Sequence, residues 1–478
     1  MTPHQRRAGV LLHPTALPGP GPVGTIGAAA HQWLELLGRQ GIGAWQLLPL
    51  APTDSTGSPY SSPSGSALNP ALLDPEGLAA SRTETPERRR AFRRWRRRER
   101  SWLRDHCRFM VLRRLHDGAP WWQWPAELAQ RRPGALRRFD RAQAAALEAE
   151  ALQQWHLQCQ WQALQHTARE QGVQLIGDLP FYVAHDSADV WARPGLFSLG
   201  RGGALEEQSG VPPDYFSATG QLWGTPVYRW SRHLLSGFRW WLARLERQLE
   251  LFDRVRLDHF RALQAYWSVP GGDATAEHGR WQLSPGWLLL GLLWLRCGLR
   301  GQLQAGRLRL IAEDLGVITP AVESLRDGFG LSGMKILQFA FDGDPANPYL
   351  PANIHGADWV VYTGTHDNAT SLGWWRQLDG EARGRVEAAV GAPVTAPGWQ
   401  LLELALASPA ELVIAPLQDL LELGDEARFN TPGTTGPNNW SWRLDRPIAA
   451  LEGPLLGYGR LAAAAGRGGA GTGTGTAN

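Results

Sequence analysis

The chain has little cysteine and no long apolar run. Its 478 residues include three widely spaced cysteines, Cys107, Cys159 and Cys297. An odd number at such spacing argues against a disulfide framework and favours free thiols in a reducing compartment. The most apolar stretch, "GWLLLGLLWLRCGLR" at 286–300, contains Arg296. It is therefore too short to cross a bilayer and predicts a buried helix.

The amino-terminal stretch "MTPHQRRAGVLLHPTALPGP" lacks an apolar segment of the length that a signal peptide needs. Together with the free thiols, this predicts a cytoplasmic protein with no membrane partner. Lysine is replaced almost wholly by arginine, since Lys335 is the only lysine among 48 basic residues. The net charge of +3 is too small to indicate a polyanionic partner.

What the chain does contain is typical of a globular protein. Hydrophobic residues make up 43% and charged residues 19%, which excludes an intrinsically disordered chain. Tryptophan is abundant, with 24 residues. Its flat face can stack on the apolar face of a sugar ring, but most of these side chains are expected to fill the core.

Short apolar runs recur along most of the chain, among them "AGVLLHP", "AWQLLPLAP", "VQLIGDLPFYV", "RVRLDHF", "LRLIAEDLG" and "DWVVYTGTHDN". Segments whose apolar residues have the spacing of a helix separate several of these runs. Continuous apolar strands separated by helices are typical of a parallel sheet covered on both faces. The sequence therefore predicts one α/β catalytic domain over residues 1–465, followed by a disordered Gly/Thr-rich tail at 466–478.

One long segment departs from this alternation. Residues 82–172 have an almost wholly helical pattern and predict a helical insertion; their first part, 82–104, holds eleven Arg and three acidic residues. Phe92, Trp95 and Trp102 fall on one face of a helix there. This favours an amphipathic helix docked on the body of the protein, although a nucleic-acid-binding arm stays open.

Four of the strand-like runs end at or near an acidic residue. A single acidic residue after a strand is usually a helix cap. Four in succession favour a shared site instead, because the carboxyl ends of parallel strands meet at one edge of the sheet. The four residues are Asp178, Asp258, Glu313 and Asp367.

The sequence context assigns different roles to these acids. In an extended segment Arg256 and Asp258 share one face while His259 takes the other, and a neighbouring cation lowers the pKa of a carboxyl group, which suits a nucleophile. Glu313 follows "LRLIA" without an adjacent basic residue, so its pKa is expected to be raised, as a general acid requires. An ionised carboxylate about 5–5.5 Å from a protonated one is the arrangement of a retaining glycosidase. Asp367 would then stabilise the developing positive charge or bind sugar hydroxyls.

An ordered set of motifs extends this interpretation. They are "GVLLHPTALPGP", "SPYSS", "IGDLPFYVAHDSADVWA", "GVPPDYFSATGQLWG", "VRLDHFRAL", "IAEDLGVITP", "GMKILQFAFDG", "YTGTHDN" and "NTPGT", spread over residues 8–445. In order and spacing the set resembles the 4-alpha-glucanotransferases of the amylomaltase or disproportionating-enzyme family, glycoside hydrolase family 77. The resemblance implies a (β/α)8 TIM barrel with inserted, mainly helical subdomains, including a substrate-loop insertion at 195–230.

The resemblance also implies an activity and the residues that carry it. A segment of a 1,4-alpha-D-glucan would be transferred to the 4-hydroxyl of an acceptor, with malto-oligosaccharides or glucans from starch or glycogen as partners and no metal or cofactor. Asp258 would form a covalent glycosyl-aspartate, Glu313 would act as acid and base, and Asp367 would be the third carboxylate. The expected substrate contacts are Tyr60, Asp214, Trp223, Arg256, His259, Phe339, His366 and Asn430.

Departures from the family's motifs concern the loops. "WGTPVY" has Thr225 where the family has Asn, and "DSTGSPYSS" has Ser55 and Ser61 in a loop where an aromatic residue and Gln are common. These changes leave the carboxylates intact and concern acceptor preference or a second glucan site. Lys335 in "GMKILQF" is kept where all other basic positions are arginine, and a shape constraint explains this as well as catalysis does.

Three other functions stay open on the residues alone. An alpha-glucan hydrolase uses the same covalent intermediate and differs in letting water resolve it. A metallohydrolase is suggested by the adjacent Asp and His of "LDH" and "THD", but neighbouring strand residues point to opposite faces and no His-x-His is present. A nucleic-acid-binding protein would rest on the 82–104 segment, whereas the rest of the chain is net acidic. The sequence does not predict the oligomeric state.

Overall fold

The structure is a computed structural model that describes residues 6–80, 85–213 and 218–468. Within these ranges the strands form an eight-stranded and a four-stranded sheet. In chain order the strands are β1 (Arg7–Leu11), β2 (Ala44–Gln46), β3 (Gln174–Leu179), β4 (Glu207–Val211), β5 (Gln221–Pro226), β6 (Arg254–Leu257), β7 (Ala265–Pro270), β8 (Arg280–Leu283), β9 (Leu310–Ala312), β10 (Gly333–Ile336), β11 (Trp359–Tyr362) and β12 (Leu412–Pro416).

The eight-stranded sheet closes into a parallel barrel. Its strand order is β10-β11-β12-β1-β2-β3-β6-β9, and every neighbouring pair in this order is parallel. The two ends meet through a parallel bridge between Ile311 and Ser332, and the Ala312 N–H donates to the Ser332 carbonyl over 2.8 Å. The (β/α)8 barrel that the family resemblance implies is therefore confirmed.

Helices cover the outside of the barrel, which explains why the strands read as continuous apolar runs. Val10, Val361 and Ile414, for example, are fully buried. The helices are α1 (Ala28–Arg39), α2 (Pro75–Ala80), α3 (Pro86–Arg98), α4 (Arg100–Leu115), α5 (Ala126–Ala129), α6 (Pro133–Ala142), α7 (Ala144–Glu170), α8 (Ala188–Ala192), α9 (Trp230–Leu235), α10 (Arg239–Leu251), α11 (Gly286–Leu299), α12 (Pro320–Gly328), α13 (Ser371–Gln377), α14 (Gly380–Val390), α15 (Pro397–Ala407), α16 (Leu417–Leu420) and α17 (Glu452–Ala464).

The segment predicted as a helical insertion contains α3 to α7. Its arginine-rich part is two helices rather than the single helix that we predicted. Glu99 separates α3 from α4 with ψ near 0°, and its buried carboxylate accepts a hydrogen bond from Trp102 Nε1 over 2.8 Å. Phe92 and Trp95 are buried in a small separate core against α7. The arginines therefore coat an amphipathic element that packs on the protein.

The helix predicted to be buried is only half buried. Leu289, Leu290 and Leu293 of α11 pack into the core, whereas Trp287, Leu288, Trp294, Leu295 and Leu299 on its other face are exposed. The prediction was wrong because an apolar run without periodicity does not reveal which of its faces the fold covers. No helix among the described residues has both the length and the apolar character to span a bilayer.

The described residues also extend past residue 466, at which the tail was predicted to begin. Arg467 is fully buried, and its guanidinium donates to the carbonyl oxygens of Leu406, Ser408 and Ala410 over 2.6–3.0 Å. These bonds attach the end of α17 to the segment before β12. Residues 469–478 lie outside the described residues.

The four-stranded sheet has the order β5-β4-β7-β8 and is antiparallel throughout. β4 and β5 belong to the predicted substrate-loop insertion, and β7 and β8 belong to the segment after β6. β7 begins within a few residues of the carboxyl end of β6. The small sheet is thus connected to the barrel edge where the four acids were predicted.

Candidate active site

Arg256 lies at the centre of the site, near the carboxyl end of β6. Its guanidinium donates to both carboxylate oxygens of Asp178 over 2.7 and 2.9 Å, and it lies 3.0 Å from the Asp258 carboxylate. Asp178 and Arg256 are register partners on the neighbouring strands β3 and β6, and both are buried. One buried cation therefore holds two carboxylates at the same level of the barrel.

Asp258 and His259 occupy the turn at the end of β6. The Asp258 N–H donates to the Leu179 carbonyl over 3.0 Å, and His259 then adopts φ 51° and ψ 47°. This left-handed conformation costs on the order of 1–3 kcal/mol for a residue with a side chain, and such residues cluster at functional sites. The turn ends the extended alternation that we predicted from Arg256 to His259.

Glu313 follows β9 and is fixed by hydrogen bonds on both sides. Its N–H donates to the Leu257 carbonyl over 3.1 Å, and its carbonyl accepts from the Phe260 N–H over 3.0 Å. Its carboxylate Oε2 accepts from the His259 N–H over 2.6 Å. The strained turn at His259 therefore directs a backbone donor at this acid.

Burial raises the pKa of both acids, to about 8 for Glu313 and to about 7 for Asp258. We expected Arg256 to hold the pKa of Asp258 low. It does oppose the shift, but desolvation is the larger effect, and the negative charges of Asp178 and Asp367 raise this pKa further. Both acids therefore hold a proton to a higher pH than an exposed carboxyl group does.

The raised pKa of Glu313 has a consequence for stability. From about pH 4 to pH 8 the folded protein holds a proton that the unfolded chain releases, so the wild type loses stability as the pH rises through this range. We expect Glu313→Gln to remove this loss. Its free energy of unfolding should equal that of the wild type at about pH 4 and exceed it by roughly 1–3 kcal/mol at about pH 8.5. Urea unfolding at both pH values measures it.

The matched control for this stability prediction is Glu381→Gln, because the Glu381 side chain is almost fully exposed. Its substitution should leave the free energy of unfolding nearly unchanged at both pH values. A gain for Glu313→Gln that is equal at the two pH values, or larger in acid, would contradict a raised pKa.

Asp367 lies in the loop after β11 and is held by two neighbours. Asn430 Nδ2 donates to its Oδ1 over 2.7 Å, and His366 Nε2 lies 3.4 Å from its Oδ2. The Asn430 N–H also donates to the His366 carbonyl over 3.1 Å. The side chain of Asn430 therefore positions the third carboxylate. Burial lowers the pKa of His366, which favours its neutral form.

Tyr60 connects the two halves of the site. Its hydroxyl donates to Asp178 Oδ2 over 2.7 Å, and its ring stacks on the His366 ring with 5.3 Å between centroids and 4° between planes. Trp440 lies against both rings, at 5.7 and 6.0 Å. Tyr60 thereby links the cluster around Arg256 to the loop that carries Asp367.

Trp223 lies on β5, at the border of the small sheet and the barrel. Its ring meets His259 edge to face at 4.9 Å and lies 6.0 Å from Tyr182. The indole is 38% exposed, so an aromatic face is available beside the acids. His259 Nε2 is buried without a hydrogen-bond partner among the described residues, and burial lowers the His259 pKa to about 4.

One further predicted contact follows the barrel strand that neighbours the strand of Glu313. Phe339 follows β10, the strand next to β9 in the barrel; it is partly exposed and packs edge to face on Tyr349 at 5.7 Å. Asp214 lies outside the described residues.

The structure also describes the surroundings of the only lysine and of the residues that depart from the family's motifs. Lys335 Nζ lies 4.1 Å from the centroid of the Trp359 ring and 5.1 Å from that of Tyr349, so a cation–π contact with two aromatic rings surrounds the only lysine. The Thr225 hydroxyl is 2.5 Å from the Ser209 hydroxyl, on the small sheet. In the loop around Tyr60, Ser55 is exposed and Ser61 is partly buried.

Sequence reasoning left Asp178 and Tyr182 out of the predicted substrate contacts. The signal for Asp178 was present, since it ends a strand-like run as the other acids do. Its importance depends on the pairing of β3 with β6, which places it beside Arg256. Tyr182 carried no such signal, because its ring meets those of His259 and Trp223 only through the loop that follows β3.

A metal site was not predicted. Within residues 6–80, 85–213 and 218–468, no group of three or more His, Cys, Asp or Glu side chains is arranged to hold an ion. All three cysteines are free, as predicted.

Known proteins match this chain over most of its length. The family model described as 4-alpha-glucanotransferase, glycoside hydrolase family 77, matches residues 12–88 and 77–449. The 4-alpha-glucanotransferase of Thermus thermophilus is 43% identical over 92% of this chain and 95% of its own length. That of Synechocystis is 40% identical over 92% of this chain and 94% of its own.

The fold has matching solved structures. An amylomaltase from Streptococcus agalactiae in complex with acarbose superposes with a TM-score of 0.89 at 30% identity, over 97% of this chain and all of that chain. The amylomaltase of Corynebacterium glutamicum shares the fold at a TM-score of 0.78 and 18% identity, over 96% of this chain and 75% of that one. The family model, which matches most of the chain, and relatives of 40% identity or more place this protein in the 4-alpha-glucanotransferase family, glycoside hydrolase family 77.

Proposed function

We propose that the protein transfers a segment of a 1,4-alpha-D-glucan to the 4-hydroxyl of an acceptor glucan or glucose, by double displacement at Asp258, Glu313 and Asp367. The observation that carries the proposal is the cluster itself. Asp258 is held by Arg256 at 3.0 Å and Glu313 by the His259 N–H at 2.6 Å, and burial raises the pKa of Glu313, as a general acid requires.

In the first step Asp258 attacks the anomeric carbon of the donor. Arg256 contacts its Oδ1, which leaves Oδ2 as the attacking oxygen. The bond from the anomeric carbon to the glycosidic oxygen breaks, and the leaving oxygen takes the proton of Glu313. Because Oε2 accepts a hydrogen bond from a backbone N–H, the proton of the neutral acid is on Oε1. The product is a glycosyl ester of Asp258 and a shorter glucan.

In the second step the acceptor sugar resolves the ester. Glu313, now ionised, takes the proton of the acceptor 4-hydroxyl, whose oxygen bonds to the anomeric carbon while the bond to Asp258 breaks. Two inversions retain the configuration and restore both acids. Asp367, oriented by Asn430, would stabilise the positive charge that develops on the sugar ring in both transition states.

The aromatic and polar neighbours supply substrate contacts in this proposal. Trp223 presents an exposed indole face on which a pyranose can stack. His259, whose ring meets that indole edge to face and whose Nε2 is buried, stays a prediction as a contact. Tyr60 and His366 form a stacked pair next to Asp178 and Asp367. Phe339 and Asp214 stay predictions as contacts. The named substrates, malto-oligosaccharides and glucans, fit a complex of the Streptococcus agalactiae relative with acarbose.

An alpha-glucan hydrolase is the competing assignment, since water can resolve the same ester. We expect incubation with maltotriose to produce a ladder of longer and shorter maltodextrins and glucose with a nearly constant number of reducing ends, because transfer conserves glycosidic bonds. Chromatography of the products together with a reducing-end assay measures both quantities. Reducing ends that rise in step with the loss of maltotriose would show hydrolysis and overturn the proposal.

The cytoplasmic location and the absence of a cofactor stay predictions. Activity that is lost with EDTA would contradict the absence of a cofactor.

A further inference from the structure

The outer face of α11 is an apolar stripe on the surface of the protein. Gly291 lies at its centre, with Trp287 and Leu288 on one side of it along the helix and Trp294 and Leu295 on the other. At 100° per residue these five positions fall within an arc of about 120°. The four large side chains are 43–54% exposed, so neighbouring elements do not cover them.

The stripe continues beyond both ends of this central region. Leu299 at the end of α11 is 81% exposed, and Leu283 at the end of β8 is 77% exposed. Together the six large side chains expose roughly 700 Å² per copy, above the roughly 300–600 Å² of the largest apolar patch on a typical monomer. A surface of this size indicates an interaction site.

The two tryptophans are held in place by their own chain. Trp294 Nε1 donates to the Gly306 carbonyl over 2.9 Å, and Trp287 packs on Phe329 at 5.5 Å between centroids. Their exposed faces are therefore presented without a loss of rotamer freedom on binding. The stripe is preorganised.

The side chains of the stripe offer a binding partner no free charge and few hydrogen bonds. Arg296 is the only charged residue of α11, and it and Arg300 both pair with Glu246 at 2.7–3.0 Å. Between the exposed indoles lie only glycine and leucine, so no side chain there can bond to a sugar hydroxyl. An apolar occupant such as another helix face therefore suits this stripe best.

We propose that this stripe is the interface of a homodimer, in which α11 of two copies pack antiparallel about a two-fold axis at Gly291. The stripe is self-complementary about that residue. With a rise of about 1.5 Å per residue, the axis brings Trp287 of one copy beside Trp294 of the other, and Leu288 beside Leu295 of the other. Aromatic side chains thus meet aromatic ones, and aliphatic side chains meet aliphatic ones.

The dimensions suit a stable dimer. Two stripes would bury roughly 1,400 Å² in total, within the range of about 1,200–2,000 Å² of specific protein–protein interfaces. Gly291 at the crossing point lets the two backbones approach closely. Inside one chain a Cβ at this position would meet only Phe329, at 4.0 Å, so packing within the monomer does not require the glycine.

Sedimentation velocity between about 0.1 and 100 µM protein tests the proposal. We expect the wild type to reach twice the 52.7 kDa mass of one chain. Gly291→Leu should weaken association at least about tenfold and leave the monomer folded, because leucine adds apolar surface and helix propensity but separates the helices. A wild type that stays monomeric overturns the proposal, and so does a Gly291→Leu variant that associates as tightly as the wild type.

A charge-reversal pair tests the antiparallel arrangement. The double variants Leu288→Glu with Leu295→Glu, and Leu288→Lys with Leu295→Lys, should each be monomeric, and their equimolar mixture should form a heterodimer, because each Glu then faces a Lys. Unimpaired homodimers of either variant, or no association in the mixture, would overturn this interface. Both variants should keep wild-type transfer on maltotriose. If maltoheptaose quenches tryptophan fluorescence in the wild type but not in Trp287→Ala with Trp294→Ala, and no dimer forms, the stripe binds glucan instead.

Discussion

Asp258→Asn is expected to lower the rate of glucan transfer by about 10⁴-fold or more. The amide has nearly the shape of the carboxylate and can still accept a hydrogen bond from Arg256, but it cannot form the glycosyl ester. The loss should appear in kcat as well as in kcat/KM, because the group acts only in the transition state. The measurement is the initial rate of glucose release from maltotriose, with the far-ultraviolet circular dichroism as a test of folding.

A matched control exists on the same strand pair. Asp178→Asn changes the same functional group next to the same Arg256 guanidinium, but Asp178 donates no electron pair to the sugar in the proposed mechanism. Its loss of activity should be about 10- to 10³-fold, and thus clearly smaller. Wild-type transfer by Asp258→Asn, or an equal loss in both variants, would contradict the assignment of the nucleophile.

Glu313→Gln is expected to lose about 10²–10⁴-fold of its rate on maltotriose but to keep its reaction with a donor that needs no proton. Alpha-maltosyl fluoride is such a donor, because fluoride leaves without protonation. The first step should then proceed at Asp258, while the second slows because no base activates the acceptor. The expected result is a trapped glycosyl-enzyme, measured as an added maltosyl mass by intact-protein mass spectrometry.

Peptide mapping of the trapped species separates the outcomes. A maltosyl group on the peptide that contains Asp258 would support both roles, whereas wild-type rates on maltotriose would contradict the acid role of Glu313. The control is Glu381→Gln, whose exposed side chain lies on α14, and it should turn over both donors like the wild type. No mass gain with the fluoride in Glu313→Gln would also count against the assignment, provided that the variant is folded.

The barrel strands could be predicted from the sequence because they are buried on both faces. A run such as "WVVY" or "LRLIA" has few alternatives to a central parallel strand once helices cover both sides. The roles of Asp258, Glu313 and Asp367 were likewise predicted from their positions at strand ends, and the motif set pointed to the family. Local sequence contains this information because strand burial and strand ends are local properties.

Other features depended on contacts between distant segments. Arg467, for example, is fixed by carbonyl oxygens some 60 residues away in the chain. The pairing of Asp178 with Arg256, 78 residues apart in the chain, exists only because β3 lies beside β6. Burial raises the pKa of Asp258 although Arg256 lies beside it, and the negative charge of Asp178 adds to this shift.

The sequence alone thus determined the parallel α/β class, the strand ends that carry the acids and the family of the protein, since apolar periodicity and motif order are properties of the chain itself. Only the tertiary structure decided which charges share Arg256 and which face of α11 meets solvent. Electrostatic energy depends on distances through space and on burial, and both are set by how the elements pack.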